Sequence, residues 1–289
     1  GLGVAMAIYK GGIGREGEAE VRITPAGRVV LAVGGVDVGQ GSTTVLAQIA
    51  AEALGVPMDR IDVVMGDTGR TPPAHVTAGS STTISTGTAV KEAAEDARRQ
   101  LLARLDTIPE PSDPGVGRRD DIVGRARVTA GSREYLTNAF AAHFAEVEVN
   151  MQTGRIRVLR YVAAHDSGRI VHPRLAENQV SGGVLQFLGI ALREELYLDK
   201  QRGVTLNANF LEHKSTSIVD FPAIEALFPA APDPGGPYGA KGLGEPPVVP
   251  VFAAVANAVA NATGVWLRDV PFTPQRVLQA MYEQGKGVR

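Results

Sequence analysis

The chain has 289 residues, a formal net charge of −2 and 44% hydrophobic residues. This length predicts about two domains or one large domain, and a near-neutral chain with few aromatic residues gives no sign of nucleic-acid binding. No apolar stretch approaches the roughly 20 residues that cross a bilayer, so we expect no membrane segment.

The sequence contains no cysteine, which excludes disulfides, thiolate zinc sites and iron–sulfur clusters ligated by this chain. Five histidines remain, and none of them forms a pair with metal-ligand spacing. We therefore expect no metal ion ligated directly by side chains. The chain begins with Gly1 in a segment typical of a strand, and we interpret it as a fragment, a split subunit or a trimmed product.

A first unit follows in residues 18–33, "EAEVRITPAGRVVLAV", where polar and apolar residues alternate on both sides of a "TPAG" turn. This pattern predicts a β-hairpin. A helix is predicted from about Ser42, because apolar residues recur at helical spacing until Gly55 and Pro57 end it. After it come a Ser/Thr/Gly-rich loop and a second apolar-faced helix. Residues 106–121 are rich in proline, glycine and charge, and predict a solvated connection.

The same plan recurs in residues 145–168, which predict a second hairpin with its turn at Gly154 and Arg155 and a loop at residues 166–168. An apolar-faced helix follows this loop. Two related hairpin–loop–helix units indicate an internal pseudo-repeat. Because strands and helices alternate without a regular βαβ rhythm, we predict the α+β class. We place the two subdomains at residues 1–130 and 131–289.

Two further helices are predicted near the C-terminus. Residues 248–264, "VVPVFAAVANAVANATG", indicate a buried helix of small residues that ends at Gly264. Thr273 and Pro274 are typical of the N-cap and first position of a final helix.

Three polar segments could line a binding site. Residues 34–44, "GGVDVGQGSTT", place a glycine-rich loop before a helix N-terminus, which suits phosphate, although they match neither the dinucleotide fingerprint nor the Walker A motif. Residues 78–83, "AGSSTT", offer four hydroxyls, and residues 177–187 place Gln179 and Gln186 on one helical face. Each segment alone also has a structural explanation, as a tight turn, a helix cap or a close helix crossing. Together they predict a polar lining for a large anionic ligand.

A single glutamate stands out in residues 239–247, "GAKGLGEPP". Glycines surround Glu245 on one side and two prolines follow it, so we expect a rigid turn with little bulk around the carboxylate. Tyr238 lies just before this loop, and it either faces a substrate or is a packed loop tyrosine.

These four motifs, in this order, resemble the xanthine dehydrogenase/aldehyde oxidase family of molybdenum hydroxylases, in the C-terminal half of the molybdopterin-binding large subunit. The likeness runs from about residue 17 to residue 281. It implies a molybdenum–pyranopterin cofactor, in bacteria usually the molybdopterin cytosine dinucleotide, whose dithiolene and not the protein holds the metal. Glu245 falls on the active-site glutamate of the family. The cofactor-binding residues that the resemblance implies are Gly39, Gln40, Gly41, Ser80, Ser81, Thr82, Thr83 and Gln179.

The resemblance also implies an oxidoreductase that hydroxylates an aromatic heterocycle or an aldehyde with oxygen from water. Its partners would be the N-terminal half of the large subunit, an iron–sulfur subunit and a flavin subunit carrying FAD, in a cytoplasmic complex; a homo-oligomer stays open. Asp37 receives no role. The alternatives are a subunit of the hydroxybenzoyl-CoA reductase type and a non-catalytic module that binds nucleotide or phosphate.

Overall fold

The computed structural model describes residues 1–11, 15–106, 120–128, 136–229 and 231–285. The predicted connection at residues 106–121 lies almost entirely outside the described residues. Within them, the strands are β1 (Leu2–Lys10), β2 (Gly17–Ile23), β3 (Val29–Val33), β4 (Ile61–Met65), β5 (Ile122–Val128), β6 (Asn138–Val149), β7 (Ile156–Asp166), β8 (Leu198–Asp199), β9 (Val204–Thr205) and β10 (Ala223–Leu227). The α-helices are α1 (Ser42–Leu54), α2 (Gly87–Asp106), α3 (Pro173–Leu192), α4 (Val251–Thr263) and α5 (Pro274–Glu283).

Two four-stranded sheets share one plan. The first has the order β4-β3-β2-β5, and the second has the order β1-β6-β7-β10. In each sheet an antiparallel hairpin is followed by a helix and then by a strand that pairs in parallel with the second arm of the hairpin. The α+β class and the two related hairpin–loop–helix units are therefore confirmed, and the repeat extends to the parallel strand.

The local signals in the sequence place the hairpins and helix ends correctly. Thr24 and Arg28 close the first hairpin turn, and Asn150 and Arg155 close the second. Helix α1 begins at the predicted Ser42, and α4 ends in a left-handed Gly264. The hydroxyl of Thr273 accepts the backbone N–H of Arg276 as the N-cap of α5.

Strand β1 was not expected to join the second unit. It pairs along its whole length with β6, so residues Leu2–Lys10 form an edge strand of the second sheet. The division into subdomains at residues 1–130 and 131–289 remains a prediction. Strand β1 belongs to the first of these ranges but pairs with β6 in the second.

Close packing of helices on each sheet depends on small residues. A methyl group at Gly124 in β5 would lie 2.1 Å from the carbonyl oxygen of Ala93 in α2. Strand β1, the corresponding edge strand of the second sheet, also has a glycine at the helix contact. A methyl group at Gly3 would lie 2.2 Å from the carbonyl oxygen of Ala254 in α4. Only glycine permits such an approach of strand and helix backbones.

Helix α4 lies in the one stretch of the described residues that is long and apolar enough to cross a membrane by length and composition. Pro246–Thr263 comprises 18 residues with a mean hydropathy of 1.2, so it is longer than the sequence analysis expected. Half of it is buried inside the protein. Helix α4 packs on β1 and β6, with Val251, Ala254 and Val255 fully buried, as a core helix does.

Candidate active site

The Glu245 loop lies directly on the Ser80 loop. The backbone N–H of Glu245 donates to the Ser80 hydroxyl at 2.7 Å, and the backbone N–H of Gly79 donates to Oε1 of Glu245 at 3.1 Å. A methyl group at Gly242 would lie 2.2 Å from the carbonyl oxygen of Ser80, so this glycine permits the contact between the loops. Ser80 has a left-handed φ of 56°, a conformation that costs a non-glycine residue energy and that the two loops hold in place.

Tyr9 in β1 completes the environment of the glutamate. Its phenolic hydroxyl donates a hydrogen bond to Oε2 of Glu245. Burial, together with the hydrogen bond and the charge of Glu245, raises the pKa of Tyr9 to about 12. Tyr9 therefore stays a neutral donor at neutral pH, and both carboxylate oxygens of Glu245 accept a hydrogen bond.

Helix α3 holds the other side of the Glu245 loop. Nε2 of Gln179 donates to the carbonyl oxygen of Gly244 at 3.4 Å. A methyl group at Gly183 would lie 2.9 Å from Cβ of Pro247, so the helix packs closely on the turn after the glutamate.

Lys241, four residues before the glutamate, is engaged elsewhere. Its side chain is buried, and Nζ donates to Oδ2 of Asp166 at 2.7 Å and to the carbonyl oxygen of Asn138 at 2.9 Å. These contacts tie the start of the Glu245 loop to the ends of β6 and β7.

Asp37 organises the glycine-rich loop before α1. Its carboxylate accepts the backbone N–H groups of Gly39 at 2.9 Å, Gly41 at 3.2 Å and Thr43 at 2.9 Å. Burial opposes its ionisation, but the three backbone donors more than offset this, and the pKa of Asp37 lies below its usual range. A side-chain carboxylate thus fills the anion position that the loop was expected to offer to phosphate.

Gln40 is also held within this loop. Its Oε1 accepts the N–H of Val38 at 2.7 Å, and its Nε2 donates to the carbonyl oxygen of Val36 at 3.3 Å and to the Ser42 hydroxyl at 3.1 Å.

One cavity of about 290 Å³ joins these loops. Helix α3, the loop after β7, the Ser80 loop and the Glu245 loop all contribute to its wall. Apolar side chains such as Val45, Leu175 and Leu243 alternate there with hydroxyl and amide groups. Ser167 also lines it; this side chain is 2% exposed, and its hydroxyl has no hydrogen-bond partner among the described residues. No group of three or more histidine and acidic residues with metal-binding geometry occurs in the described part of the chain.

The structure brings most of the predicted site residues to this cavity. Those that line it are Gln40, Ser80, Ser81, Thr82, Thr83, Gln179 and Glu245. Gly39 and Gly41 do not line it; a methyl group at Gly41 would lie 2.6 Å from Leu175, which does. Sequence reasoning missed Tyr9, Asp37 and Ser167. For Asp37 a signal was present, since an aspartate shortly before a helix start often accepts backbone N–H groups.

Tyr238 lies outside this cavity. Its ring sits 5.5 Å from Nζ of Lys91 in α2 and 5.6 Å from the guanidinium carbon of Arg169 after β7, which supports the alternative of a packed loop tyrosine.

Comparison with known proteins agrees with this architecture. Residues 1–222 match the family model of the molybdopterin cofactor-binding domain. The chain is 35% identical over 300 residues to the aldehyde oxidoreductase molybdenum-binding subunit PaoC of Escherichia coli O157:H7, covering 97% of this chain and 41% of that protein. It is 30% identical over 318 residues to the putative xanthine dehydrogenase molybdenum-binding subunit XdhA of Escherichia coli K12, covering 99% and 42%.

A solved structure of Cu,Mo-CO dehydrogenase superposes with a TM-score of 0.83 at 25% identity, over 100% of this chain and 42% of that chain. The fold is thus that of a molybdopterin-binding domain. The chain belongs to the xanthine dehydrogenase/aldehyde oxidase family of molybdenum oxidoreductases. It spans about two fifths of the length of the curated relatives described above.

Proposed function

We propose that this chain binds a molybdenum–pyranopterin cofactor and supplies Glu245 as the general base for hydroxylation of an aromatic heterocycle or an aldehyde. The observation that carries the proposal is the single cavity in which Gln40, the Ser80–Thr83 segment, Gln179 and Glu245 meet. These residues come from four distant segments of the chain, and a purely structural role for each would not require them to converge.

The cavity wall suits such a cofactor. A pyranopterin carries ring nitrogens, a carbonyl and phosphate, and it requires many hydrogen-bonding groups beside an apolar surface. The hydroxyl and amide groups supply the former, and Val45 and Leu175 supply the latter. The buried Ser167 hydroxyl without a partner is a further group that a ligand could satisfy, because buried polar groups are seldom left unpaired.

Within this proposal the chain binds, orients and moves a proton. The cofactor, when bound, supplies the redox chemistry. Tyr9 and Gly79 fix the two carboxylate oxygens of Glu245, so the base is held in one orientation before substrate arrives. Lys241 pairs with Asp166 and therefore does not act as an ion-pair partner of Glu245.

The proposal extends to the form of the cofactor, the partner subunits and the location of the complex. We propose the cytosine dinucleotide form of the cofactor, and assembly with the rest of the large subunit, an iron–sulfur subunit and a flavin subunit carrying FAD, in the cytoplasm. Several relatives are named as subunits or chains of larger enzymes, which supports a multi-subunit complex. Gly39 and Gly41 would act by shaping the loop that presents Gln40.

The test is metal and cofactor analysis of the assembled complex with two matched variants. Gln179 lines the cavity, whereas Gln186 lies on the same helix, is exposed and does not line it. We expect Gln179→Ala to lower the molybdenum and cytidine content, and Gln186→Ala to leave both unchanged. A complex that assembles without stoichiometric molybdenum contradicts the proposal. Tight binding of cytidine nucleotides by the isolated chain, with no turnover in the complex, would instead support the non-catalytic module.

A further inference from the structure

The outer faces of the two sheets, which the helices leave uncovered, differ in chemistry although the sheets share one plan. On the first sheet this face carries ion pairs. Glu20 pairs with Arg22 at 2.8 Å and with Arg125 on the neighbouring strand at 2.7 Å, and Arg28 pairs with Asp62. Such a face is stable in water without a partner.

On the second sheet the equivalent face is apolar. The outward side chains of β1 are Leu2, Val4, Met6 and Ile8, and they are 69%, 48%, 81% and 66% exposed. In the register of the sheet, Val4 lies opposite Phe144 and Ile8 opposite Phe140, which are 49% and 45% exposed. These six side chains form one continuous surface across two strands, which we call the apolar strip.

The strip has the form of an interface and not of scattered exposed residues. Single exposed apolar side chains are normal, but a contiguous patch usually marks a binding surface. Polar groups lie around it, with Lys10 at the end of β1, Glu146 opposite Leu2, and the Arg160–Glu225 pair at 2.8 Å on the far strands. An apolar centre with a polar rim is typical of protein interfaces. Helix α4 covers β1 and β6 from the opposite side, so the strip is not part of the core that the described residues form.

The relatives indicate what covers the strip. This chain matches only 41% of PaoC and 42% of XdhA, so more than half of each subunit lies outside the matched region. We propose that the apolar strip is the surface on which the remaining region of the large subunit docks. This inference rests on the proposed function only in placing the chain within a longer subunit; it requires neither a bound cofactor nor a catalytic role for Glu245.

Methionine oxidation tests the proposal with an internal control. Met6 is 81% exposed at the centre of the strip, and Met58 is 41% exposed in the first unit, far along the chain. Dilute peroxide oxidises exposed methionines, and we expect Met6 in the assembled large subunit to react about tenfold more slowly than in the isolated chain, with Met58 unchanged. Equal rates for Met6 in both samples would overturn the proposal. Protection of Met6 in the isolated chain that disappears on dilution would show that a second copy covers the strip, which also overturns it.

A matched pair of substitutions supplies a second readout. Met6→Glu and Met58→Glu introduce the same charge at exposed positions, so both variants should keep the thermal unfolding temperature of the isolated chain. We expect Met6→Glu to abolish co-purification with the remaining region of the large subunit, and Met58→Glu to retain it. Retained co-purification of a folded Met6→Glu variant contradicts the proposal. Neither readout depends on molybdenum, so failure here is distinct from failure of the proposed function.

Discussion

The phenolic hydroxyl of Tyr9 donates a hydrogen bond to Oε2 of Glu245 and so joins the edge strand of the second sheet to the loop before α4. The backbone N–H of Gly79, from the first unit, holds the other carboxylate oxygen at 3.1 Å. The position of the glutamate therefore depends on both units at once.

The first prediction concerns Glu245→Gln in the assembled enzyme. The substitution keeps the shape of the side chain but cannot accept a proton, so we expect a rate loss of at least about 10²-fold, the low end for a general base. Molybdenum content should stay near wild type, because other loops contact the cofactor in our proposal. Glu177→Gln, at an exposed position of α3, is the control. A wild-type rate with full molybdenum would show that Glu245 is not the base, and loss of molybdenum together with activity would show a structural role.

The second prediction concerns Tyr9→Phe. It removes one of two donors to a carboxylate, and a hydrogen bond to a charged group contributes about 1.5–3 kcal/mol, equivalent to roughly 10- to 100-fold. We expect kcat to fall about tenfold or more with little change in KM, since in our proposal Tyr9 orients Glu245 and does not contact the substrate. Tyr282→Phe, at an 83% exposed position, should have no effect. An unchanged kcat for Tyr9→Phe would show that the contact does not orient the base.

The contact between Tyr9 and Glu245 also predicts how the Tyr9 phenol titrates in the chain without cofactor. Because the pKa of Tyr9 is raised to about 12, its neutral form is favoured by folding, and the associated stability is present below about pH 10 and lost between pH 10 and pH 12. The difference in phenolate absorbance between wild type and Tyr9→Phe measures this step. Glu245→Gln should move it toward the ordinary pKa of a tyrosine, and a step that stays in place would mean that burial alone sets it.

The sequence predicts elements whose signals are local. The hairpin at residues 18–33 and the start of α1 at Ser42 follow from alternation and capping within a few residues, and both are confirmed. Strand β1 could not be placed in this way, because its partner β6 lies more than a hundred residues away and no local pattern encodes that pairing. Tyr9 was missed for the same reason.

The site was predictable as a set of residues but not as a set of contacts. Motif order indicated that Ser80 and Glu245 belong to one site, and both line the cavity. The reason for the glycines around Glu245 appears only in the structure, where Gly242 meets the backbone of Ser80. Asp37, which the sequence analysis left without a role, accepts three backbone N–H groups.

The third prediction concerns Asp37→Ala. The substitution leaves the N–H groups of Gly39, Gly41 and Thr43 without their acceptor at the start of α1, and removal of such a cap costs about 1 kcal/mol. Because the pKa of Asp37 is lowered in the folded chain, this stabilisation is present above about pH 4 and lost as the pH falls further. Urea unfolding should therefore show a larger difference between wild type and variant at pH 7 than at pH 3. An equal difference at both values would mean that the carboxylate charge has no part in it.

The fourth prediction concerns Lys241→Met. Lys241 is 7% exposed and its Nζ lies 2.7 Å from Asp166, so removal of the ammonium group leaves the Asp166 carboxylate, whose side chain is 24% exposed, without its charged partner. Breaking a fully buried pair costs about 3–5 kcal/mol, and because Asp166 is partly exposed and still accepts the Gly168 N–H, we expect a cost at or below the lower end of that range. Lys91→Met removes a partly exposed pair with Glu95 one helical turn away and a contact with the Tyr238 ring, and its cost should stay within about 1 kcal/mol. Denaturant unfolding of both variants checks this, and equal small losses would show that water reaches Asp166.

The fifth prediction concerns a buried chain of three side chains in the second sheet. Nε2 of His143 lies 2.9 Å from Nε2 of His165, and Nδ1 of His143 lies 3.0 Å from the Tyr161 hydroxyl. Both imidazoles are fully buried. Burial, with a contribution from the neighbouring His165, lowers the pKa of His143 to about 3, and burial lowers the pKa of His165 to about 4. Both rings are therefore neutral at pH 7. One of the two facing Nε2 atoms carries a hydrogen, and the other accepts it in a hydrogen bond.

A histidine whose pKa is lowered by folding stabilises the protein above its unfolded pKa, near 6.5, and loses that contribution as the pH falls toward the folded value. Each of the two should therefore remove about 1.4 kcal/mol of stability per pH unit between pH 6 and pH 4. Urea unfolding across this range measures the slope. A triple variant, His143→Leu, His165→Leu and Tyr161→Phe, replaces every partner in the chain by an apolar group and should flatten it, because no polar group is then left unpaired. In the wild type, the imidazole proton resonances of these two residues should not shift between pH 8 and pH 5, where an exposed imidazole titrates. A shift of either resonance near pH 6.5 would show that water reaches the pair and that the acid sensitivity of the fold has another source.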